Sequence, residues 1–138
     1  MKYSIFILVF LSFSFAFSQR GTTGDTTFKN RFPKDVFNTV SDATLKIINE
    51  VDHDIIVVIR DQEKKYLRHV YIRNLEEFTF DKLPITRLYV QFKSKEFYFE
   101  DRERTPINFG DKHTFNFYFD PTQESNYYKI TEEEFFKP

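Results

Sequence analysis

The chain has 138 residues, and its 20 lysines and arginines nearly balance its 21 aspartates and glutamates, for a formal net charge of −1 at pH 7. We therefore expect no nucleic-acid partner, because the charge provides no basic surface. The absence of cysteine excludes disulfides and thiol catalysis, so stability must come from packing. The 19 phenylalanines and eight tyrosines are available for that packing.

The first 18 residues predict a secretory signal peptide. Lys2 precedes the apolar stretch IFILVFLSFSFAF, and the small-residue site Ala16-Phe17-Ser18 follows. The alternative is a retained transmembrane anchor, but the unbroken apolar part is shorter than the roughly 20 residues that a bilayer crossing needs. We therefore expect cleavage after Ser18, export to the periplasm or the extracellular space, and no membrane association after cleavage.

Residues 19–42 predict a flexible leader. They carry Gly21, Gly24 and Pro33 among many threonines, asparagines and aspartates, and they show no sustained hydrophobic period. One short ordered piece is expected around residues 36–40. Residues 43–138 are predicted to form one domain, because removal of 18 from 138 residues leaves 120, the usual size of a single domain.

From residue 43 onward, short apolar runs alternate with polar turns. In chain order the runs are TLKIIN, IIVVI, YLRHVYIR, EFTF, RLYVQFK, EFYFE, HTFNFYF and YYKITEEEFF. The unbroken apolar run IIVVI (55–59) predicts a central strand that is covered on both sides. β-Branched and aromatic residues dominate these runs, which favours strands over helices. The pattern predicts an all-β fold, an antiparallel β-sandwich of about seven to eight strands, transthyretin-like or immunoglobulin-like. The best helical candidates, residues 35–40 and 131–136, are too short to dominate the fold.

Phenylalanine alternates with polar residues or tyrosine along several runs. Phe97 and Phe99 occupy one side of their predicted strand, and Phe115, Phe117 and Phe119 occupy one side of theirs. Successive strand side chains point to opposite faces of a sheet, so these phenylalanines are predicted to face a shared dry core. The opposite face is predicted to be wet.

Residues 83–88 read Leu-Pro-Ile-Thr-Arg-Leu, directly before the alternating run LYVQF, and residues 45–61 read LKIINEVDHDIIVVIRD. On these residues the segment 43–93 resembles the carboxypeptidase regulatory-like domains, in which a Leu-Pro-x-Gly-x-Tyr turn leads into a core strand. Thr86 and Leu88 stand at the positions of the glycine and the tyrosine. The resemblance implies a transthyretin-like accessory sandwich without catalytic residues of its own, and it carries over no site residue.

No motif predicts catalysis, a cofactor or a metal site, and we expect no enzymatic activity. The serines of the mature chain stand in no nucleophile motif, and Ser94 is interpreted as a solvated turn residue. The histidines lack metal-ligand spacing, and the segment NEVDHD (49–54), which offers oxygen donors to calcium, lacks the EF-hand spacing. The carboxylates of residues 96–103 are interpreted as a solvated charge cluster, not as a glycosidase pair. The residues considered are Ser41, Ser94, Ser125, His53, His69, His113, Glu96, Glu100, Asp101 and Glu103.

Two features are candidates for binding. If the phenylalanines face inward, Tyr89, Tyr98 and Tyr118 share the outer face, where they could stack on sugar rings or anchor a protein. Alternatively they only half-cover the sheet. The longest predicted connection, residues 101–112, carries Arg104 and Phe109, and long loops often bear function. Alternatively Phe109 packs beneath its own loop.

The leading prediction is an exported, non-enzymatic β-sandwich that binds a protein or a glycan at the cell surface or in the periplasm. A small β-barrel that holds an apolar ligand is the alternative, suggested by the number of phenylalanines. An enzyme is the third and least favoured hypothesis, because no nucleophile, metal set or cofactor motif is found.

Overall fold

The structure is a computed structural model, which describes residues 20–119 and 126–138. The predicted signal peptide, residues 1–18, lies outside the described residues, so both the signal peptide and export stay predictions. Within the described ranges, no helix is long and apolar enough to cross a membrane.

Nine strands, one short α-helix and a 3-10 turn at Lys29–Arg31 make up the secondary structure of the described residues. The all-β prediction is confirmed, with nine strands instead of seven or eight. Helix α1, Glu132–Phe135, lies in one of the two segments considered for a helix, whereas residues 35–40 contain none. The strands are β1 (Thr44–Asn49), β2 (Ile55–Arg60), β3 (Tyr66–Ile72), β4 (Glu77–Phe80), β5 (Thr86–Ser94), β6 (Phe97–Asp101), β7 (Thr105–Ile107), β8 (Lys112–Phe117) and β9 (Tyr127–Ile130).

The strands form the two sheets of a sandwich. The larger sheet has the order β3-β2-β5-β6-β9, and the smaller has the order β4-β1-β8. Strand β7, which lies within the connection predicted at residues 101–112, pairs with the first part of β5. Among the described strands, β1 and β8 form a parallel pair and the other pairs are antiparallel. The parallel pair was not anticipated; β1 and β8 are distant in sequence, so no hairpin constrains their relative direction.

The main core lies between the two sheets. Strand β1 contributes Leu45 and Ile47, and β5 contributes Phe92; all three side chains are completely buried. The Phe92 ring stacks on that of Phe117, with centroids 4.2 Å apart. Each such buried side chain stabilises the fold by roughly 1.5–3 kcal/mol. The two sheets remain separate, so the small-barrel alternative is wrong as a description of the fold.

Not every phenylalanine predicted to face the core is buried. Phe99 and Phe115 are half-buried and pack against the main core. Phe97 and Phe119 are 47% and 45% exposed, so the prediction of a dry environment is wrong for these two. Phe97 begins β6 at the margin of the sheet, where the Lys129 ammonium lies 4.1 Å from its ring centroid. Phe119 lies beyond the end of β8.

The outer face of the larger sheet is covered by both flanking segments of the chain. Phe32 from the leader, together with Phe135 and Phe136 from the C-terminal segment, packs on Ile56 and Val58 of β2 as a second core. β2 is buried along its whole length, so the prediction of a strand covered on both sides is confirmed for residues 55–59. The wet face expected on β5 is wrong at Tyr89 and Gln91, which are buried. The sequence interpretation did not identify the residues that cover β2, because single aromatic residues at irregular intervals produce no periodic signal.

The leader also follows the edge of β3. The backbone N–H of Val36 donates to the carbonyl of Leu67 (2.9 Å). Near the other end of β3, the backbone N–H of Gly24 donates to the carbonyl oxygen of Tyr71 (2.9 Å), and the backbone N–H of Tyr71 donates to the carbonyl oxygen of Asp25 (2.8 Å). The described part of the predicted leader thus pairs with an edge strand that would otherwise present free backbone groups.

Candidate functional site

The five residues predicted to contact a partner do not form one surface. Tyr89 is only 8% exposed. The guanidinium carbon of Arg104 lies 4.7 Å from its ring centroid, and the ammonium of Lys64 lies 4.8 Å from it. The structure therefore brings Tyr89 and Arg104 together, but the two cations cover the ring instead of leaving it free to stack.

Tyr98 and Phe109 lie in unrelated surroundings. Tyr98 packs beneath the C-terminal segment, with its ring centroid 5.0 Å from that of Phe135 and 6.1 Å from that of Phe136, and burial raises the pKa of its hydroxyl. Phe109 lies in the turn before β8 and is 64% exposed, so it does not pack beneath its loop. The predicted tyrosine platform is therefore not formed, because the chain's own C-terminal segment occupies part of that face.

Tyr118 lines a cavity of about 290 Å³ at one side of the sandwich. The cavity forms where β6 ends, β8 ends and β9 begins, so residues that are distant in the sequence meet there. Three of its lining residues are aromatic: Phe115, Tyr118 and Tyr127. Its polar lining residues are Asp101, Arg102, Glu103, Asn116 and Asn126.

Packing holds the aromatic part of this cavity in place. Phe115 stacks on Phe92 of the main core with a centroid distance of 5.3 Å, and the ring of Tyr127 lies 5.4 Å from that of Phe117. Burial raises the pKa of the Tyr127 hydroxyl to about 12, so this group stays neutral at physiological pH. Tyr118 follows directly after β8 and is 43% exposed, which leaves its ring accessible to a ligand.

The polar part of the cavity is built on the pairing of β6 with β9. Asp101 lies opposite Tyr127 in the register. One residue further along, the backbone N–H of Arg102 donates to the carbonyl of Asn126 (2.9 Å). The guanidinium carbon of Arg102 lies 4.3 Å from the ring centroid of Tyr128. These contacts fix the start of the β6–β7 connection beside the cavity.

Asp101 has a perturbed charge state. It is 9% exposed, and burial raises the pKa of its carboxyl from 3.8 to about 6. A hydrogen bond from the backbone N–H of Glu103 (3.4 Å) opposes the increase, and the negative charge of Glu103 adds to it. Asp101 therefore titrates close to neutral pH, where it can accept or donate a hydrogen bond. A titratable group with a perturbed pKa beside a cavity marks a candidate binding site.

Sequence reasoning found Tyr118 but missed its neighbours. It treats Asp101 and Glu103 as members of a solvated charge cluster and assigns no role to Asn116 or Tyr127. These residues come together because β6 pairs with β9 and because the end of β8 lies beside them. Strand order is not contained in the local pattern of a single sequence, so the site could not be assembled from it.

A second cluster has the order of groups found in serine hydrolases. Asp52 Oδ1 lies 2.9 Å from His53 Nδ1, and His53 Nε2 is hydrogen-bonded with Ser94 Oγ. Ser94 is 4% exposed at the end of β5, so its interpretation as a solvated turn residue is wrong. The acid of a Ser-His-Asp triad is buried, whereas the Asp52 side chain is 94% exposed. The cluster therefore connects the β1–β2 turn with the end of β5.

The segment NEVDHD uses its polar groups within the fold. Asp54 accepts hydrogen bonds from Arg20 Nε (2.8 Å) and from the backbone N–H of Asn74 (2.9 Å), and Arg20 holds the pKa of Asp54 well below its usual range. Asn49 Nδ2 donates to the carbonyl of His53 (2.9 Å). Among residues 20–119 and 126–138, no group of three or more histidine, aspartate and glutamate side chains is placed to hold a metal ion.

Comparison with known proteins assigns the chain to no family, because no protein-family model, curated protein or solved structure matches it. The resemblance of residues 43–93 to the carboxypeptidase regulatory-like domains therefore stays a prediction.

Proposed function

We propose that the chain is a non-enzymatic binding module whose ligand is a glycan, held in the cavity beside Tyr118. The observation that carries the proposal is the lining of this cavity, which combines three aromatic rings with two carboxyl groups, one guanidinium group and two side-chain amides. Aromatic faces favour the C–H faces of a sugar ring. Planar amides and carboxyl groups can hydrogen-bond to its neighbouring hydroxyls.

The size of the cavity favours a glycan over a protein partner. A volume of about 290 Å³ is at the lower end of the range for small-ligand sites, and it suits one or two sugar units. A stable protein–protein contact buries roughly 800 Å² on each partner. Of the tyrosines that such a contact would have used, Tyr98 is covered by the C-terminal segment and Tyr89 by two cationic side chains.

The charges of the cavity favour a neutral or amine-bearing sugar. Two carboxyl groups, those of Asp101 and Glu103, line it beside one guanidinium group, that of Arg102. The guanidinium group also lies over the Tyr128 ring. A carboxylated sugar would meet net repulsion from the two carboxylates at neutral pH.

The arrangement of the two carboxyl groups supports binding over hydrolysis. Glycoside hydrolysis needs two carboxyl groups that flank the scissile bond. Asp101 ends β6 and Glu103 follows two residues later, and the backbone N–H of Glu103 donates to the carboxyl of Asp101 (3.4 Å). Two carboxyl groups this close in the chain suit adjacent hydrogen bonds to a bound sugar.

A glycan array followed by titration calorimetry tests the proposal. Tyr118→Ala is expected to weaken binding of the selected glycan at least about tenfold, a loss of about 1.4 kcal/mol. Phe109→Ala is the control, because Phe109 is an exposed aromatic residue that does not line the cavity. Equal affinities of wild type and Tyr118→Ala, or an array without any bound glycan, would contradict the proposal. Release of a shortened sugar would establish the enzyme hypothesis instead.

Export is part of this proposal and is supported by the predicted signal peptide. Expression of the full chain, cell fractionation and N-terminal sequencing test it. The expected result is a periplasmic or extracellular protein that begins at Gln19. A cytoplasmic protein with an intact N-terminus would contradict the proposal of export, but it would not contradict the proposed glycan site.

A further inference from the structure

A second hollow, of about 520 Å³, lies on a different part of the molecule. It is lined by residues of the leader, and it shares no residue with the cavity beside Tyr118. We call it the leader groove; it is lined chiefly by Lys29, Phe32, Pro33, Lys34, Asp35 and Phe37. Its volume lies well within the range of small-molecule sites.

The apolar part of the leader groove is held by β3. The Phe32 ring stacks on Tyr66 with a centroid distance of 4.9 Å and lies 4.4 Å from the ring of His69. His69 Nε2 lies 2.6 Å from the carbonyl oxygen of Thr27, which ties this ring to the leader. Across the groove, the guanidinium carbon of Arg68 lies 4.3 Å from the centroid of Phe37. Both aromatic walls are thus supported from beneath by side chains of the sheet.

The charged part of the leader groove has an excess of positive charge. Asp35 accepts a hydrogen bond from the Tyr66 hydroxyl (2.7 Å), so its carboxylate already has a partner. In residues 20–119 and 126–138, Lys29 and Lys34 form no ion pair, whereas the nearby Arg31 pairs with Glu132 (3.0 Å). Two ammonium groups at an aromatic hollow are complementary to an anion attached to an apolar body.

We propose that the leader groove binds a small organic anion, a carboxylate or sulfonate carried on an aliphatic or aromatic body. The body lies against Pro33 and the half-exposed ring of Phe37, beside the buried Phe32, and the anion is paired with Lys29 and Lys34. The apolar body supplies affinity because its burial releases ordered water, and the lysines select the charged head group. This activity is additional to glycan binding and does not depend on it.

The protein produced from the full chain can be titrated with the fluorescent probe 1-anilinonaphthalene-8-sulfonate. We expect one saturable site, and we expect decanoate to displace the probe at least about tenfold more effectively than the uncharged decanol. Equal displacement by decanoate and decanol would overturn the role of the lysines. No saturable binding would overturn the proposal as a whole.

Two variants locate the site. Lys29→Gln/Lys34→Gln should weaken decanoate binding about tenfold and leave the dissociation constant of decanol unchanged, once displacement is corrected for the weaker binding of the anionic probe to this variant. Lys95→Gln/Lys112→Gln removes the same charge from exposed positions outside the groove and should leave both unchanged. Phe37→Ser should weaken both ligands, and it should fold because Phe37 is half exposed. If the control pair weakens decanoate as much as Lys29→Gln/Lys34→Gln does, the binding is nonspecific and the assignment is wrong.

Discussion

Replacement of Asp101 by asparagine isolates the effect of one buried carboxyl group on stability. Burial raises the pKa of Asp101 in the folded protein from 3.8 to about 6. The protonated carboxyl therefore favours the folded state: its contribution is fully present below about pH 4 and is lost as the pH rises through about 6. At about 1.36 kcal/mol per pKa unit, the complete cost of ionising Asp101 in the folded protein is about 3 kcal/mol.

The quantity to measure is the difference in free energy of unfolding between Asp101→Asn and wild type, as a function of pH. Asparagine has a similar size, can accept the same hydrogen bond from the backbone N–H of Glu103, and does not ionise. The free energy of unfolding of Asp101→Asn relative to wild type should rise by about 1.4 kcal/mol between pH 5 and pH 7.5, with the pKa values given above. Contributions of the histidines cancel, since both proteins contain them.

Urea denaturation at several pH values between 4 and 8 measures this difference. Glu96→Gln is the control, because Glu96 is an exposed carboxyl in the turn between β5 and β6. Its stability difference from wild type gives the baseline for replacing a surface carboxyl group by an amide. If the stability of Asp101→Asn runs parallel to that of wild type at every pH, Asp101 is not desolvated and the assignment of a buried carboxyl group to the cavity wall is wrong.

Three further predictions concern the two cores and the buried serine. Phe117→Ala should lower the free energy of unfolding by about 3–5 kcal/mol because it opens a cavity between the sheets, whereas Phe109→Ala should change it by less than about 0.5 kcal/mol; equal losses in urea denaturation would contradict the assignment of the main core. Phe32→Ala should cost about 3 kcal/mol and accelerate hydrogen exchange of the Val36 amide, and an unchanged exchange rate would mean that backbone pairing alone holds the leader. A fluorophosphonate probe should leave Ser94 unlabelled in the native protein, and labelling there would revive the enzyme hypothesis.

The sequence predicts the fold well where the information is local. Alternation along β8 correctly identifies a strand with one covered side, and Phe92 and Phe117 meet in the core. Along β5 it correctly places Phe92 in the core, but the opposite side is also buried at Tyr89 and Gln91. Alternation alone does not say where a sheet ends, so Phe97 has the right period and the wrong environment. The second core depends on contacts between residues about a hundred positions apart, such as Phe32 with Phe135 (6.1 Å). No window of neighbouring residues contains that information.

The same limit applies to the candidate site. Tyr118 is recognisable as an aromatic residue that alternates with core residues, and its position next to a cavity follows only from the association of β6, β8 and β9. Tyr89 has the same local pattern, yet Arg104 and Lys64 cover it. Whether an outward-facing tyrosine is accessible thus depends on segments elsewhere in the chain, and these are fixed by tertiary packing.

Contacts between the leader and the C-terminal segment determine when, during translation, the outer layer of the larger sheet can form. The ring of Phe28 lies 5.5 Å from that of Phe136, and the guanidinium carbon of Arg31 lies 3.5 Å from the Phe136 centroid. The ribosome makes Phe136 after every residue that this ring touches, so a nascent chain that stops short of it leaves the apolar side of β2 uncovered. The outermost layer of the protein can assemble only after translation has passed this point, and truncated products should be prone to aggregation.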